Sequence, residues 1–211
     1  MTSRYPQKSV TRKTEKGTLL MRSFCTPEQI EGLHFTDACT EDGRYRPVVT
    51  KKERLIQAAA QEGANVTLAV QENGEIVGLS ILEYPGPHER WIKVGDRLMM
   101  EVSIIEVRRA WRGIGLARNI LCLTMDHPQV ESRICYMVGY SWTWDLDAYA
   151  GTAMDYRDAL IRLFSRRGFK TFQTNEPNVM MRPENLFMAR VGDTVSQEMV
   201  ERFKLARFDL L

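Results

Sequence analysis

The sequence predicts an α/β fold: a mixed, twisted sheet of about six to seven strands flanked by helices. Three observations carry that expectation. Strand-like runs of β-branched residues fall before, around and after a few segments with the 3.6-residue apolar period of a helix. Residues 66–71 and 75–82 face each other across Glu72-Asn73-Gly74, a hairpin pattern in which Asn-Gly suits a type I′ turn. Finally, segment 101–125 passes from a β-branched run (Val102, Ile104, Ile105, Val107) through a basic elbow with two glycines into an amphipathic helix.

Taken in order, residues 1–16 are basic and polar without periodicity and are expected to be a flexible basic arm, leaving 17–211 as a single domain. Residues 17–22 read as a first strand. Thr26-Pro27 opens a helix, with threonine as N-cap and proline at the first helical position. Residues 37–47 are a polar loop. A helix over 51–62 carries Leu55, Ile56, Ala59 and Ala60 on one face and stops at Gly63. After the hairpin, Pro85-Gly86-Pro87-His88 breaks the pattern and Glu89-Arg90-Trp91 gives a loop with an aromatic anchor. Pro128 stops the central helix, and residues 130–140 form a strand leading into Ser141-Trp142-Thr143-Trp144-Asp145. Thr152 and Asp155 have capping-box spacing for a helix through Arg167, closed by Gly168. Residues 169–174 and 185–191 are the last strands. Ser196 caps a C-terminal helix over 196–208, with Val195 and Val200 placed as a staple.

A chain of 211 residues with 44% hydrophobic composition can bury a good core. A net charge of +2 is too mild to imply a nucleic-acid partner. No apolar run approaches the length of a membrane-spanning helix, and the polar start lacks the apolar stretch of a signal peptide, so a cytoplasmic protein without a membrane partner is expected. Cys25, Cys39, Cys122 and Cys135 are scattered, with no C-x-x-C pair and no histidine at ligand spacing. Free thiols in a reducing compartment, and no metal, are the expectation.

The elbow Arg112-Gly113-Ile114-Gly115-Leu116-Ala117 has a specific physical use. The first N–H groups of a helix have no partner within it and lie at the positive end of its dipole. An anion docked there receives several hydrogen bonds, and glycine lets it approach without a Cβ in the way. Arg112 adds a forked charge suited to phosphate oxygens. The expected ligand carries a phosphate or pyrophosphate; the alternative is a plain tight turn with a solvated arginine. The spacing fails both the P-loop and G-x-G-x-x-G.

What the elbow resembles is the acetyl-CoA signature of the GNAT superfamily of N-acetyltransferases, Gln/Arg-x-x-Gly-x-Gly/Ala. Arg112, Gly115 and Ala117 fill its fixed positions, and Val107 sits where that family ends its central strand. The resemblance implies the GNAT acetyltransferase fold for 17–211 and acetyl-CoA as acetyl donor. Arg112, Gly113, Ile114, Gly115, Leu116 and Ala117 would surround its pyrophosphate, and Ile105, Glu106 and Val107 would lie along its pantetheine. Acetyl transfer to an amine needs a neutral nitrogen, and a lysine pKa of about 10.4 leaves roughly one in a few thousand neutral at pH 7. A carboxylate acting as general base offsets that cost. Glu101, six residues before Val107, stands where the protein-lysine branch has its catalytic glutamate, among apolar Met99, Met100, Val102 and Ile104. Glu106 is the second candidate, either structural or facing substrate. The family's usual proton-donating tyrosine, four residues before a Gly-Phe, is Phe164 here, so that either another group such as Tyr156 or water protonates the thiolate or it leaves unaided, and the acid stays unassigned. Tyr140, Trp142, Trp144 and Tyr149, with Trp91, read either as core or as walls of an acceptor channel, with Asp145 and Asp147 to attract a cationic amine.

The chain as a whole is similar to the acetoin-utilisation branch of these acetyltransferases, AcuA. The similarity rests on Glu89-Arg90-Trp91, on Glu106-Val107 followed by Arg112-Gly113, on Trp142-Thr143-Trp144-Asp145-Leu146, on Met188-Ala189-Arg190-Val191-Gly192 and on Val195-Ser196-Gln197-Glu198. It implies a protein N-ε-lysine acetyltransferase that inactivates acetyl-CoA synthetase by acetylating an active-site lysine, a form of product feedback. The residues themselves leave two other functions open: acetylation of a small amine, and non-catalytic sensing of acyl-CoA.

Overall fold

The structure, a computed structural model, describes residues 5–35 and 51–211. The loop expected over 37–47, with Cys39, lies outside the described residues. Among the described residues eight strands are present: β1 Ser9–Thr14, β2 Gly17–Arg22, β3 Asn65–Gln71, β4 Ile76–Glu83, β5 Met99–Val107, β6 Ile134–Gly139, β7 Lys170–Thr171 and β8 Leu186–Val191. Their spatial order is β1-β2-β3-β4-β5-β6-β8-β7. The helices are α1 Pro27–Glu31, α2 Lys52–Ala59, α3 Leu116–Met125, α4 Ala153–Ser165, α5 Pro177–Met180 and α6 Gln197–Ala206.

The count exceeds the expected six to seven strands because of β1, which occupies the segment expected to be a flexible arm. Periodicity could not reveal it. Ser9–Thr14 buries no side chain and is held by antiparallel pairing with β2, from Ser9↔Arg22 to Thr14↔Gly17. An edge strand of this kind needs backbone partners on one side and no apolar face.

The chain divides into two compact units, one of Met1–Glu83 with Ser103–His127 and the other of Tyr84–Val102 with Pro128–Leu211. In the first, α3 lies on the sheet through Leu116, Ile120 and Leu123, which pack with Leu19, Met21, Ala69, Val77, Val107 and Trp111. Each leucine or isoleucine side chain so removed from water contributes about 1.5–3 kcal/mol. The approach is close: a Cβ added at Gly78 would stand 2.6 Å from Ile120 Cδ1, and that side chain would have to shift. On a second cluster, Leu55 and Ala58 of α2 pack with Leu68, Ile76, Leu79 and Ile81. Helix α2 ends at Ala59 instead of running to 62, and Gly63, at φ +84°, turns the chain toward β3. Thr26 caps α1 as expected, with a full capping box to Gln29.

The β3–β4 turn differs from the type I′ expectation. That turn needs positive φ at both Asn73 and Gly74, and only Gly74 has it, at +87°. Gly74 N donates to Gln71 O (3.0 Å) and Gln71 N to Glu75 O (2.9 Å), giving a three-residue loop that ends in a glycine bulge. Asn73 instead accepts from Glu75 N through its side chain (3.0 Å), a local bond typical of asparagine in turns.

In the second unit, β6 pairs β8 antiparallel over six positions, from Ile134↔Val191 to Gly139↔Leu186. Strand β6 begins at Ile134, not 130, after a short 3₁₀ turn over Val130–Ser132. The expected strand over 169–174 is reduced to Lys170–Thr171, although Phe172 N still donates to Phe187 O (3.0 Å). Its core stacks Trp91 on Phe187 (4.7 Å between centroids) and sets Tyr136 against both. The Thr152–Asp155 capping box starts α4, and Ser196 caps α6, whose Gln197–Ala206 falls within the expected 196–208. Helix α5, not anticipated, opens with Pro177 at its first turn and Glu176 accepting from Val179 N (2.7 Å).

Candidate active site

The end of β5 is tied into the sheet by Arg108 N, which donates to Val77 O (3.0 Å). A 3₁₀ turn over Arg109–Trp111 follows, anchored by the buried Trp111 ring in the α3 cluster. Arg112 then folds back, its Nε donating to Val107 O at 2.9 Å. One guanidinium donor therefore closes the strand-to-helix turn, a duty that spacing did not reveal.

Gly113 and Gly115 have φ of +81° and +76°, the left-handed region that side chains with a Cβ avoid. A Cβ built on either meets no atom within 4 Å, so open space lies in front of both. Gly115 is the N-cap of α3, and Asn119 N→Gly115 O (3.3 Å) is the first bond of the helix. The N–H groups of Leu116, Ala117 and Arg118 precede it and have no partner inside the helix. Leu116 is buried, and Ile114 and Ala117 pack against the same cluster. These residues thus anchor the turn through their side chains and offer backbone donors. Residues 112–117 thus form a turn with two left-handed glycines, open in front, at the N-terminus of α3.

Glu106 lines a small cavity of about 10 Å³ with Phe35, Ile76, Leu79 and Arg108, room for roughly one water. Ile105 and Val107 flank it on β5, Val107 buried and Ile105 half-buried.

Glu101 lies in the second unit, directly opposite Tyr136 in the parallel β5–β6 register. The Tyr136 hydroxyl donates to Glu89 Oε2 (3.0 Å), while Gly86 N donates to Glu89 Oε1 (2.6 Å). Burial pushes the Tyr136 hydroxyl pKa up, and the charges of Glu101 and Glu89 push it further. Tyr140 is raised to about 12, again chiefly by burial, then by Glu176 and Glu101. Both phenols therefore stay protonated near neutrality. Glu89 stands 47 positions from Tyr136 in the chain, and only the fold brings the two together.

The aromatic residues separate. Trp91 belongs to the core with Tyr136 and Phe187. Tyr140 stacks on the half-exposed Trp142 (4.8 Å, 8°), and Trp144 stacks on Tyr156 (5.0 Å, 13°), with Tyr149 edge-on. Asp145 is buried and does not offer its charge at the surface. Phe164 is wholly buried, edge-on to Phe169 (5.2 Å), a core position with no hydroxyl to donate. Cys25, Cys122 and Cys135 are free thiols; Cys39 lies outside the described residues. Among the described residues no group of three His, Cys, Asp or Glu is placed to hold a metal, and no helix is long and apolar enough to cross a membrane.

The strand, glycine turn and helix N-terminus, on a sheet of this order, have the fold of the GNAT acetyltransferases. An acetyltransferase-like protein of Acinetobacter baylyi shares the fold at a TM-score of 0.50 and 14% identity, over 89% of this chain and 94% of that one. No protein-family model matches the sequence. Curated relatives do: acetoin utilization protein AcuA of Bacillus licheniformis is 33% identical over 196 residues, 93% of this chain and 91% of its own. That of Bacillus subtilis is 32% identical over the same shares. The crystal structure of an acetoin utilization protein from Exiguobacterium sibiricum superposes with a TM-score of 0.85 at 25% identity, covering 98% of this chain and 97% of that one. The chain belongs to the acetoin utilization protein AcuA family.

Proposed function

We propose that this acyltransferase uses acetyl-CoA to acetylate a lysine ε-amine on a protein in the cytoplasm, the acceptor being acetyl-CoA synthetase. The observation that carries the reading is the cradle: two left-handed glycines with open space before them, at the N-terminus of a ten-residue helix. Arg112, Gly113, Ile114, Gly115, Leu116 and Ala117 would hold the pyrophosphate, and Ile105, Glu106 and Val107 would line the pantetheine. Bound acetyl-CoA supplies the activated acyl group. Glu101 is the proposed base, taking the ammonium proton so that the neutral nitrogen can attack. Glu89, bonded to the Tyr136 hydroxyl, adds negative charge that favours a cation in that region. Glu106, half-buried and lining a small cavity, is the weaker candidate for proton transfer. The family membership supports the protein acceptor.

Incubation with labelled acetyl-CoA and a cell lysate, followed by mass-spectrometric mapping of acetyl-lysine, tests the acceptor. Label on one lysine of acetyl-CoA synthetase is expected. Label confined to small amines refutes the protein acceptor, and binding without any transfer refutes catalysis. Glu101→Gln should abolish turnover while acetyl-CoA still binds; unchanged turnover removes Glu101 as the base.

A further inference from the structure

The loop between β5 and α3 is held from outside by two cations of the β1–β2 hairpin. Arg12 Nη2 donates to Ile114 O at 2.6 Å, and Lys16 Nζ donates to Ala110 O. Those carbonyls lie on either side of the segment 111–113, so the hairpin grips the loop at both ends. The grip is preset. Arg12 sits opposite Leu19 in the β1–β2 register, and Leu19 is fully buried in the cluster that also holds Trp111 and Leu116. The turn itself is stiffened by Thr14 Oγ1, which donates to Gly17 O (2.8 Å) and accepts from Lys16 N (3.2 Å).

Two consequences follow for an anion at the cradle. A trans peptide points its N–H opposite to its C=O. Holding the Ile114 carbonyl against Arg12 therefore turns the Gly115 N–H away from the hairpin. The two cations also offset the carbonyl dipoles that would otherwise repel a phosphate beside them.

We propose that Arg12 and Lys16 are positioning residues of the acyl-CoA cradle, so that the N-terminal hairpin sets the affinity for the pyrophosphate. This rests on the reading of residues 112–117 as a pyrophosphate site. The test is calorimetric titration of the full-length protein with acetyl-CoA, alongside its melting temperature without ligand. Arg12→Ala should weaken binding about tenfold, the equivalent of ~1.4 kcal/mol, Lys16→Ala by less, and the double variant by more than either. Arg12→Lys, which keeps a donor and a charge, should recover part of the loss. Lys13→Ala removes a neighbouring charge without a cradle bond and should stay within twofold of the parent protein. Parent-level binding by the Arg12→Ala, Lys16→Ala double variant overturns the proposal while leaving the cradle standing. An equal loss in Lys13→Ala also overturns it, since net charge would then be the cause. If the parent protein itself shows no saturable binding of acetyl-CoA, the cradle reading fails and this proposal with it.

Discussion

Gly115→Ala separates backbone strain from ligand contact. The native φ of +76° costs an alanine about 1–2 kcal/mol. At about 2–4 °C per kcal/mol for a protein of this size, the unliganded melting temperature should fall by roughly 2–8 °C. No steric term adds to this, because the new Cβ meets nothing within 4 Å. It does stand in the space before the helix N–H groups. Loss of two charge-assisted hydrogen bonds at about 1.5 kcal/mol each weakens an anion by ~3 kcal/mol, or ~100-fold. In differential scanning fluorimetry with acetyl-CoA at 100 times the parent Kd, the parent gains about 2.7 kcal/mol, a rise of roughly 5–11 °C. At that concentration the variant should gain only ~0.4 kcal/mol, about 1–2 °C. Gly115→Asn is the control, since asparagine tolerates the left-handed region: it should recover part of the unliganded stability and little of the ligand shift. A full ligand-induced shift in Gly115→Ala would refute the cradle argument.

Three further outcomes are expected. Gly192→Ala would place a Cβ 2.4 Å from the carbonyl oxygens of both Val130 and Glu131, so backbone must move and urea melts should show a loss of about 3 kcal/mol; a loss below about 1 kcal/mol would contradict that geometry. The Asp193 N–H, then Arg190, hold the Glu131 carboxyl below its ordinary value of 4.5. A depressed folded-state pKa gives stability that is complete above 4.5 and lost as pH falls through the folded value, so the parent's advantage over Glu131→Gln in urea melts should be present at neutral pH and shrink in acid. Burial raises the Cys25 and Cys135 thiols to about 12, so maleimide labelling of the native protein near pH 8 with peptide mapping should modify the half-exposed Cys122 before either; early labelling of Cys135 would contradict its burial.

Much of the molecule was legible locally. Thr26, Thr152 and Ser196 cap their helices, because a cap is a bond between residues three apart and spacing alone encodes it. The two cradle glycines were legible for a similar reason: left-handed backbone followed at once by a helix is a property of consecutive residues. The β3–β4 hairpin was placed correctly, but its turn type was not, since Asn-Gly also serves the glycine bulge observed. Misreadings fall where partners are remote. Strand β1 owes its existence to β2 and has no apolar stripe of its own. Trp91, open between core and channel wall in the sequence, is settled as core by remote partners, its ring lying against Phe187 and Tyr136.

The sequence by itself determined the α/β class, the helix starts and the strand-turn-helix elbow of Arg112 to Ala117, because each depends on side chains within a turn or two of one another. Tertiary structure alone decided which groups meet. It set Glu101 opposite Tyr136 and brought Glu89 to the Tyr136 hydroxyl. It gave Arg112 a bond to Val107 and carried Arg12 across 102 positions to the Ile114 carbonyl. Local pattern specifies backbone conformation, while the approach of distant groups depends on strand order and packing, which no short window of sequence contains.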